Sequence, residues 1–355
     1  MEGERRIHVN LGPESYPILL GNGMLDRMGE HLREEYSGAR ILVVTDRHVS
    51  ALYGDRVEAE LRHHGFTVGR TVLPAGEATK SFGNLPRIYE DLLALGCTRK
   101  DLVLALGGGV IGDLAGFAAA TYLRGVPYIQ VPTSLLAQVD SSIGGKVAVD
   151  LPEGKNLVGS FYQPRMVFVD PGLLSTLPQR VYADGMGEVV KYGCIGDGEL
   201  FSLLEQGPEA LWGRMEEIIC RCLAIKRDYV ERDPRDRGER MALNFGHTLG
   251  HAIETIEQYE GLTHGEAVAV GMVAITRLAE KKGLTPRGTA DRIRRVLSVY
   301  DLPVEHPLLN GKEILAAVAR DKKNLGSVLK VVLLKRIGEA YLYDTTSAFF
   351  KELSA

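Results

Sequence analysis

Residues 101–123 read DLVLALGGGVIGDLAGFAAATYL, an apolar run, a glycine-rich turn and a second run of small apolar residues. Gly107, Gly109 and Gly112 stand at G-x-G-x-x-G spacing between a strand signal and a helix signal, the context a phosphate-binding turn needs. Glycines let the backbone approach a pyrophosphate, and the helix that follows offers free N–H groups and the positive end of its dipole. The turn alone is a weak signal, because a glycine-rich strand-to-helix turn can be purely structural. The usual dinucleotide motif also places an acid about 20 residues further on to hold the ribose hydroxyls. Here the next strand ends as VPYIQVPT (126–133) without one, and Asp46, closing the earlier run ILVVTD, is the better ribose candidate. Gly76, Glu77 and Lys80 add polar groups after another strand.

Outward from this turn, short β-branched or aliphatic runs alternate with helical stretches over residues 1–180. The strand candidates are RRIHVNL (5–11), YPILLG (16–21), ARILVVTD (39–46), FTVGRTVL (66–73), DLVLAL (101–106), VPYIQVP (126–132) and MVFVD (166–170). Strands alternating with helices predict a largely parallel sheet covered on both faces. From 181 onward the pattern changes to long amphipathic segments, such as MEEIICRCLAIKRDYVERD (215–233) and ERMALNFGHTLGHAIETIEQYE (239–260), with a strand-like pair LKVVLLK (329–335) and EAYLYD (339–344) near the end. The second half is expected to be mostly α-helical. No repeat, low-complexity tract or Gly/Ser linker separates the halves, so two packed domains, 1–180 and 181–355, are expected, with the ligand site in the cleft between them.

The second half carries a different chemistry. Glu188 lies in DGMGEVVKYG (184–193), His247 and His251 in NFGHTLGHAIE (244–254), and His264 in LTHGEAVAVGM (262–272). His247 and His251, four apart in a helical pattern, project from one face about a turn apart. The spacing is that of His-Glu-x-x-His peptidases, but residue 248 is Thr, which removes that reaction's general base. A carboxylate with two imidazoles and open positions is a donor set for a catalytic Zn2+ that polarises substrate oxygens. A lone His is usually a hydrogen-bonded core or capping residue. Three of them, flanked by Gly on segments otherwise poor in polar residues, favour a site, and the residues alone leave open which of the three complete it. Lys191, three after Glu188, shares its helical face.

Composition narrows the classes. The 355 residues suffice for about two domains, and a net charge of -4 with 25% charged residues gives no basic field to draw in nucleic acid or an anionic membrane. Cys97, Cys194, Cys220 and Cys222 form no Cys-x-x-Cys pair and no disulfide framework, so reduced, buried thiols are expected. The charged start MEGERRIHVN lacks the apolar stretch of a signal peptide, and no apolar run approaches the ~20 residues of a membrane span. A soluble cytoplasmic protein is the expectation.

Taken in order, GGGVIGDLAGF (107–117), YLRGVPYIQVPTSLLAQVDSSIGGK (122–146), GKNLVGSFYQP (154–164), GEVVKYG (187–193), NFGHTLGHAIE (244–254), HGEAVAVGM (264–272) and RDKKN (320–324) resemble the 3-dehydroquinate synthase family across nearly the whole chain. The ordered set at family-like spacing is highly specific. The resemblance implies an α/β N-terminal Rossmann-like domain, a mostly α-helical C-terminal domain, NAD in the cleft, one Zn2+ (or Co2+) and a homodimer. It implies conversion of 3-deoxy-D-arabino-heptulosonate 7-phosphate into 3-dehydroquinate and phosphate, by transient oxidation at carbon 5, phosphate elimination, reduction, ring opening and an intramolecular aldol step. The family's metal ligands fall on Glu188, His247 and His264, which leaves His251 beside the substrate.

By the same resemblance, Lys146, Asn156, Arg240 and Lys330 contact the phosphate end, with Arg124 reaching in from the partner subunit. Asp140, Lys191, Lys226, Asn244 and His251 line the rest of the substrate pocket. On the cofactor side stand Asp46, Glu77, Lys80, Gly109, Asp113, Thr133, Ser134, Lys146, Lys155 and Thr176. Each Lys or Arg in isolation would be a solvated surface charge, but placement inside segments such as SSIGGKVAV (141–149) and CLAIKRDYV (222–230) argues otherwise. Two positions depart from the family pattern: Ser134, where Thr is frequent, and His48, where some members have Asn.

Other sugar phosphate cyclases, making 2-deoxy-scyllo-inosose, a valiolone or an amino-dehydroquinate, share NAD, metal and the turn. Lys226, Arg240, Asn244 and Lys330 together suit a substrate bearing both carboxylate and phosphate, which favours the dehydroquinate reaction. A metal-dependent polyol dehydrogenase would release NADH, and the surplus of pocket cations argues against a neutral polyol. A silent ligand-binding module is opposed by the presence of every expected metal ligand.

Overall fold

All seven runs read as strands pair into one sheet. They are β1 (Arg5–Val9), β2 (Tyr16–Leu20), β3 (Arg40–Asp46), β4 (Thr67–Leu73), β5 (Leu102–Gly107), β6 (Tyr128–Pro132) and, after a separate hairpin of β7 (Lys146–Leu151) and β8 (Gly154–Phe161), β9 (Met166–Val169). A computed structural model describes the backbone of residues 4–325 and 329–354 and the side chains of 4–318 and 329–353; the side chains of RDKKN (320–324) lie outside the described residues.

The sheet order is β1-β2-β9-β6-β5-β3-β4, parallel throughout except for β1, which closes the edge antiparallel to β2. Alternation explains why the inner strands read as continuous apolar runs. Ile41 and Val43 enter one core with Leu104, Val131 and Phe168, while Leu42 and Val44 enter the other with Val103, Ala105 and Tyr128. Both faces are covered, so neither set can be polar. The small residues of the helix Gly109–Thr121 serve this packing: Ala115, Ala118 and Ala119 are buried in the second core.

From β3 the chain moves outward to β4, then returns to the other side of β3 as β5 and continues to β6. The glycine turn that follows β5 therefore sits where the winding direction reverses, the place where open parallel sheets bind ligands. The β7–β8 hairpin was not among the expected strands. Its first strand is the short apolar run VAV (147–149) between Lys146 and Asp150, and Pro152-Glu153 separates it from a return strand, GKNLVGSF (154–161), whose Gly, Lys and Asn carry little strand signal.

The chain divides into two compact units, Met1–Leu177 and Pro178–Ala355. The second carries helices Gln179–Gly196, Gly198–Leu204, Met215–Arg232, His247–Ile256, His264–Lys281, Thr289–Val299 and Lys312–Leu325, with the expected hairpin of β10 (Leu329–Arg336) and β11 (Glu339–Thr345). The stretch 239–260 is not one amphipathic helix. It breaks into the 3-10 turn Glu239–Asn244 and the helix His247–Ile256, because Gly246 takes φ 82°. A Cβ there would lie 2.6 Å from Met272 Cγ and 2.7 Å from the Val268 carbonyl oxygen, so only glycine makes the break. Among the described residues no helix is long and apolar enough to cross a membrane.

Asp197 ties three helices of this unit together. Its Oδ1 accepts from the N–H groups of Glu199 and Leu200, capping Gly198–Leu204, and its carboxylate pairs with Arg221 at 2.7 Å. Burial alone would raise the Asp197 pKa, but Arg221 and the two N–H donors outweigh it and hold the carboxyl below its usual range. That contribution is present above the unfolded-state carboxyl pKa and disappears as pH falls through the depressed folded value. Asp197→Ala should cost roughly 1–3 kcal/mol in urea unfolding at neutral pH. The deficit should shrink in acid; equal deficits at both pH values would contradict this account.

Candidate functional site

In unit Met1–Leu177 the cofactor candidates gather at the C-terminal ends of the parallel strands. Asp46 ends β3, Glu77 and Lys80 follow β4, Gly109 and Asp113 follow β5, Thr133 and Ser134 follow β6, and Thr176 ends the 3-10 segment after β9. Asp46 Oδ1 accepts from the N–H groups of His48 and Val49, which fixes the turn leaving β3. Gly108 and Gly109 face Ser134 and Ser141: a Cβ on either glycine would meet a serine Oγ at 3.3 and 3.0 Å, respectively. Thr176 Oγ1 shares a hydrogen bond with Tyr53 at 2.6 Å.

A buried lysine organises the neighbourhood of the turn. Lys80 Nζ lies 2.6 Å from Asp113 Oδ2 and 2.5 Å from Asn156 Oδ1, linking the segment after β4, the helix after the glycine turn and the hairpin. Burial works against its charge, but Asp113 outweighs that and raises its pKa, so Lys80 stays protonated. Lys155 Nζ lies 3.6 Å from Glu77 Oε1, a second tie of the hairpin to the same segment. Lys146, the first residue of β7, is exposed, and Asp140 sits part-buried in the turn Ala137–Ser141.

Arg124 is exposed on a strained turn. Leu123 and Arg124 take φ 49° and 66°, a left-handed pair without glycine that costs roughly 1–3 kcal/mol per residue. Val126 N–H to the Ala119 carbonyl and Arg99 Nε to the Leu123 carbonyl, at 2.9 and 3.1 Å, hold it. Asn156 is also left-handed, at φ 58°, and its N–H donates to Asp150.

In unit Pro178–Ala355, Glu188 comes from the helix Gln179–Gly196, His247 and His251 from His247–Ile256, and His264 is the first residue of His264–Lys281. Close helix crossings bring them together. A Cβ on Gly265 would overlap the Asp184 carbonyl oxygen, and one on Gly271 would overlap that of Gly246, so both crossings run backbone to backbone. Arg180, on the Glu188 helix, grips Glu266 at 2.7 and 2.8 Å, while Glu266 also completes a capping box with Thr263 just before His264.

The side chains then aim at one point. His247 Nδ1 is 3.1 Å from the Phe245 carbonyl and His264 Nδ1 is 3.5 Å from Glu254 Oε2, so the Nε2 atoms of both rings face Glu188 Oε1, each at 3.8 Å. Ligand atoms of Glu188, His247 and His264 all lie within 4.8 Å of one another, and His251, Glu254 and His264 form a second such group. Burial, reinforced by Lys191, pushes the His247 pKa well down and keeps the ring neutral. Burial pulls His264 the same way, but Glu254 and Glu188 outweigh it and hold its pKa up to about 9. Two imidazoles and a carboxylate suit Zn2+ or Co2+.

Lys191 pairs with Glu188, both 1% exposed, and stands 4.7 Å from the centroid of the Tyr192 ring. His251 is exposed, with its ring 5.2 Å from that of His247 and 5.8 Å from that of His264. Lys226 and Arg240 are buried, and Asn244 is half-buried. Asp233 accepts from the N–H groups of Arg237, Gly238 and Arg240, shaping the loop that delivers the guanidinium. Lys330 remains exposed on β10, 3.9 Å from Asp344. Sequence reasoning missed Glu254, Arg180 and Asp233. Glu254 was the legible one, lying seven after His247 and three after His251 on the same helical face.

The family model described as 3-dehydroquinate synthase N-terminal matches residues 70–184, and 3-dehydroquinate synthase C-terminal matches 185–324. The chain is 52% identical to the 3-dehydroquinate synthase of Clostridium beijerinckii over 96% of its length and 98% of the relative's. A 2-deoxy-scyllo-inosose synthase solved with carbaglucose-6-phosphate, NAD+ and Co2+ superposes with TM-score 0.88 at 27% identity, covering 99% of both chains. The 2-epi-5-epi-valiolone synthase of Streptomyces hygroscopicus, solved with NAD+ and Zn2+, gives 0.86 at 29% identity over 95% of both. Matched along both halves, and nearly twice as identical to a dehydroquinate-forming relative as to either solved cyclase, the chain belongs to the 3-dehydroquinate synthase family.

Proposed function

We propose that the chain is an NAD- and metal-dependent lyase that converts 3-deoxy-D-arabino-heptulosonate 7-phosphate into 3-dehydroquinate and phosphate, a step of the shikimate pathway. The observation that carries this choice of substrate is its higher identity to a 3-dehydroquinate synthase than to the inosose and valiolone synthases. In this reading residues 1–180 bind NAD and 181–355 bind metal and substrate. When bound, NAD takes up and returns one hydride while the metal polarises the hydroxyl being oxidised.

The chain's own groups bind and orient. Asp46, Glu77, Lys80, Gly109, Asp113, Thr133, Ser134, Lys146, Lys155 and Thr176 are assigned to NAD. Their support is position, at or after the strand ends beside the reversal of winding and on the hairpin tied to them. Glu188, His247 and His264 are assigned to the metal, supported by two Nε2 atoms facing one carboxylate oxygen. Lys146, Asn156, Arg240 and Lys330 are assigned to the phosphate as charge-assisted or polar donors. Asp140, Lys191, Lys226, Asn244 and His251 are assigned to the rest of the substrate. Lys191 and Lys226 are buried cations, whose fields act at low dielectric, and the exposed His251 ring beside the metal ligands is placed to hydrogen-bond substrate oxygens.

The same reading includes a homodimer in which Arg124 serves the neighbouring subunit, supported by its exposure on a turn that holds two residues in a costly conformation. It includes a cytoplasmic location, supported by four cysteines that are all free thiols. The test is phosphate release from the heptulosonate phosphate with catalytic NAD and Zn2+. Phosphate should exceed added NAD many-fold with no steady growth of absorbance at ~340 nm, because the cofactor is regenerated in place. NADH accumulating one-for-one with substrate would replace this reading with a polyol dehydrogenase.

A further inference from the structure

We propose that Glu254 is a positioning residue that orients His264 as a metal ligand, an inference that rests on the assignment of the metal to Glu188, His247 and His264. Glu254 is 3% exposed, on the same helix as His247 and His251. Its Oε2 lies 3.5 Å from His264 Nδ1, while the other ring nitrogen of His264 lies 3.8 Å from Glu188 Oε1. The imidazole is thus strung between two buried carboxylates, one on each nitrogen. A proton on Nδ1 held by Glu254 leaves the Nε2 lone pair for the ion, fixes the ring plane and makes the nitrogen a stronger donor.

The two histidines need such help to different degrees. His247 follows a glycine break and finds an acceptor two residues back, the Phe245 carbonyl. His264 opens its helix, where no preceding turn packs against the ring, and its side chain keeps 31% exposure. A buried carboxylate is costly unless paired, and this one is aimed across to a different helix at the ring that most needs holding. The competing use of Glu254, as a direct ligand of another ion with His251 and His264, would take the same Nδ1 atom.

The experiment compares the full chain with E254Q, E254L and H264A by chelator-competed Zn2+ affinity, metal stoichiometry and the visible spectrum of the Co2+-loaded protein. Gln keeps an oxygen for Nδ1 but loses the charge, and Leu loses both. E254Q should bind Zn2+ about tenfold more weakly and E254L nearer 100-fold, within the range outer-shell partners command. Both should keep one site and show a shifted Co2+ spectrum. Wild-type affinity and spectrum in E254Q would overturn the proposal, whether or not E254L folds, as would a second Zn2+ equivalent in the wild type that E254Q removes. Undiminished Zn2+ affinity in H264A would instead refute the ligand assignment beneath it.

Discussion

His264→Ala should leave the enzyme almost free of zinc after dialysis and without measurable turnover. On the proposed assignment the substitution removes one of three metal donors, leaving Glu188 and His247, whose Nε2 lies 3.8 Å from Glu188 Oε1. Outer-shell changes already cost 10–100-fold in metal affinity, so loss of a direct ligand should exceed ~100-fold. The fold should survive, since the buried Lys191–Glu188 pair and the Arg180–Glu266 contact are untouched and Ala is well tolerated at a helix start. Elemental analysis decides the matter: stoichiometric zinc in a folded H264A protein would refute the assignment of this ligand.

If the chain forms the proposed homodimer, Arg124→Ala and Lys146→Ala should each abolish activity alone, and mixing the two should restore it. If Arg124 serves the neighbouring subunit while Lys146 serves its own, a mixed dimer concentrates both lesions in one site and leaves the other intact. Random exchange puts half of the subunits in mixed dimers, so activity should recover to about a quarter of wild type. Verified exchange without recovery would confine Arg124 to its own subunit or to no site at all.

The inner strands were legible because they are buried on both faces, and runs such as ILVV (41–44) have no polar alternation to confuse with helix. The reversal of winding at β5 was not, because strand order depends on pairing that local pattern does not encode. Periodicity could place His247 and His251 on one face but could not choose between them. How the ring of His264 arrives beside them depends on the Gly246 break before His247–Ile256 and on the capping box that starts His264–Lys281, both tertiary matters. Helical phase put Glu254 beside the histidines in principle; its role appears only when a ring from another helix arrives at its carboxylate. The β7–β8 hairpin was hidden because its return strand, GKNLVGSF (154–161), is polar and glycine-containing and has no buried position to give it a strand pattern.

The backbone crossings at Gly265 and Gly271 constrain how this enzyme can be made more heat-tolerant. In an ordinary helix interior, exchanging Gly for Ala gains up to about 1 kcal/mol, and such exchanges are among the first tried in stabilisation campaigns. Here the added methyl would collide with the carbonyl oxygens of Asp184 and Gly246 and pry apart the helices that carry Glu188, His247 and His264. A consensus or library design that scores these positions by helix propensity alone will select inactive proteins, so gains must come from loops and solvent-facing turns instead.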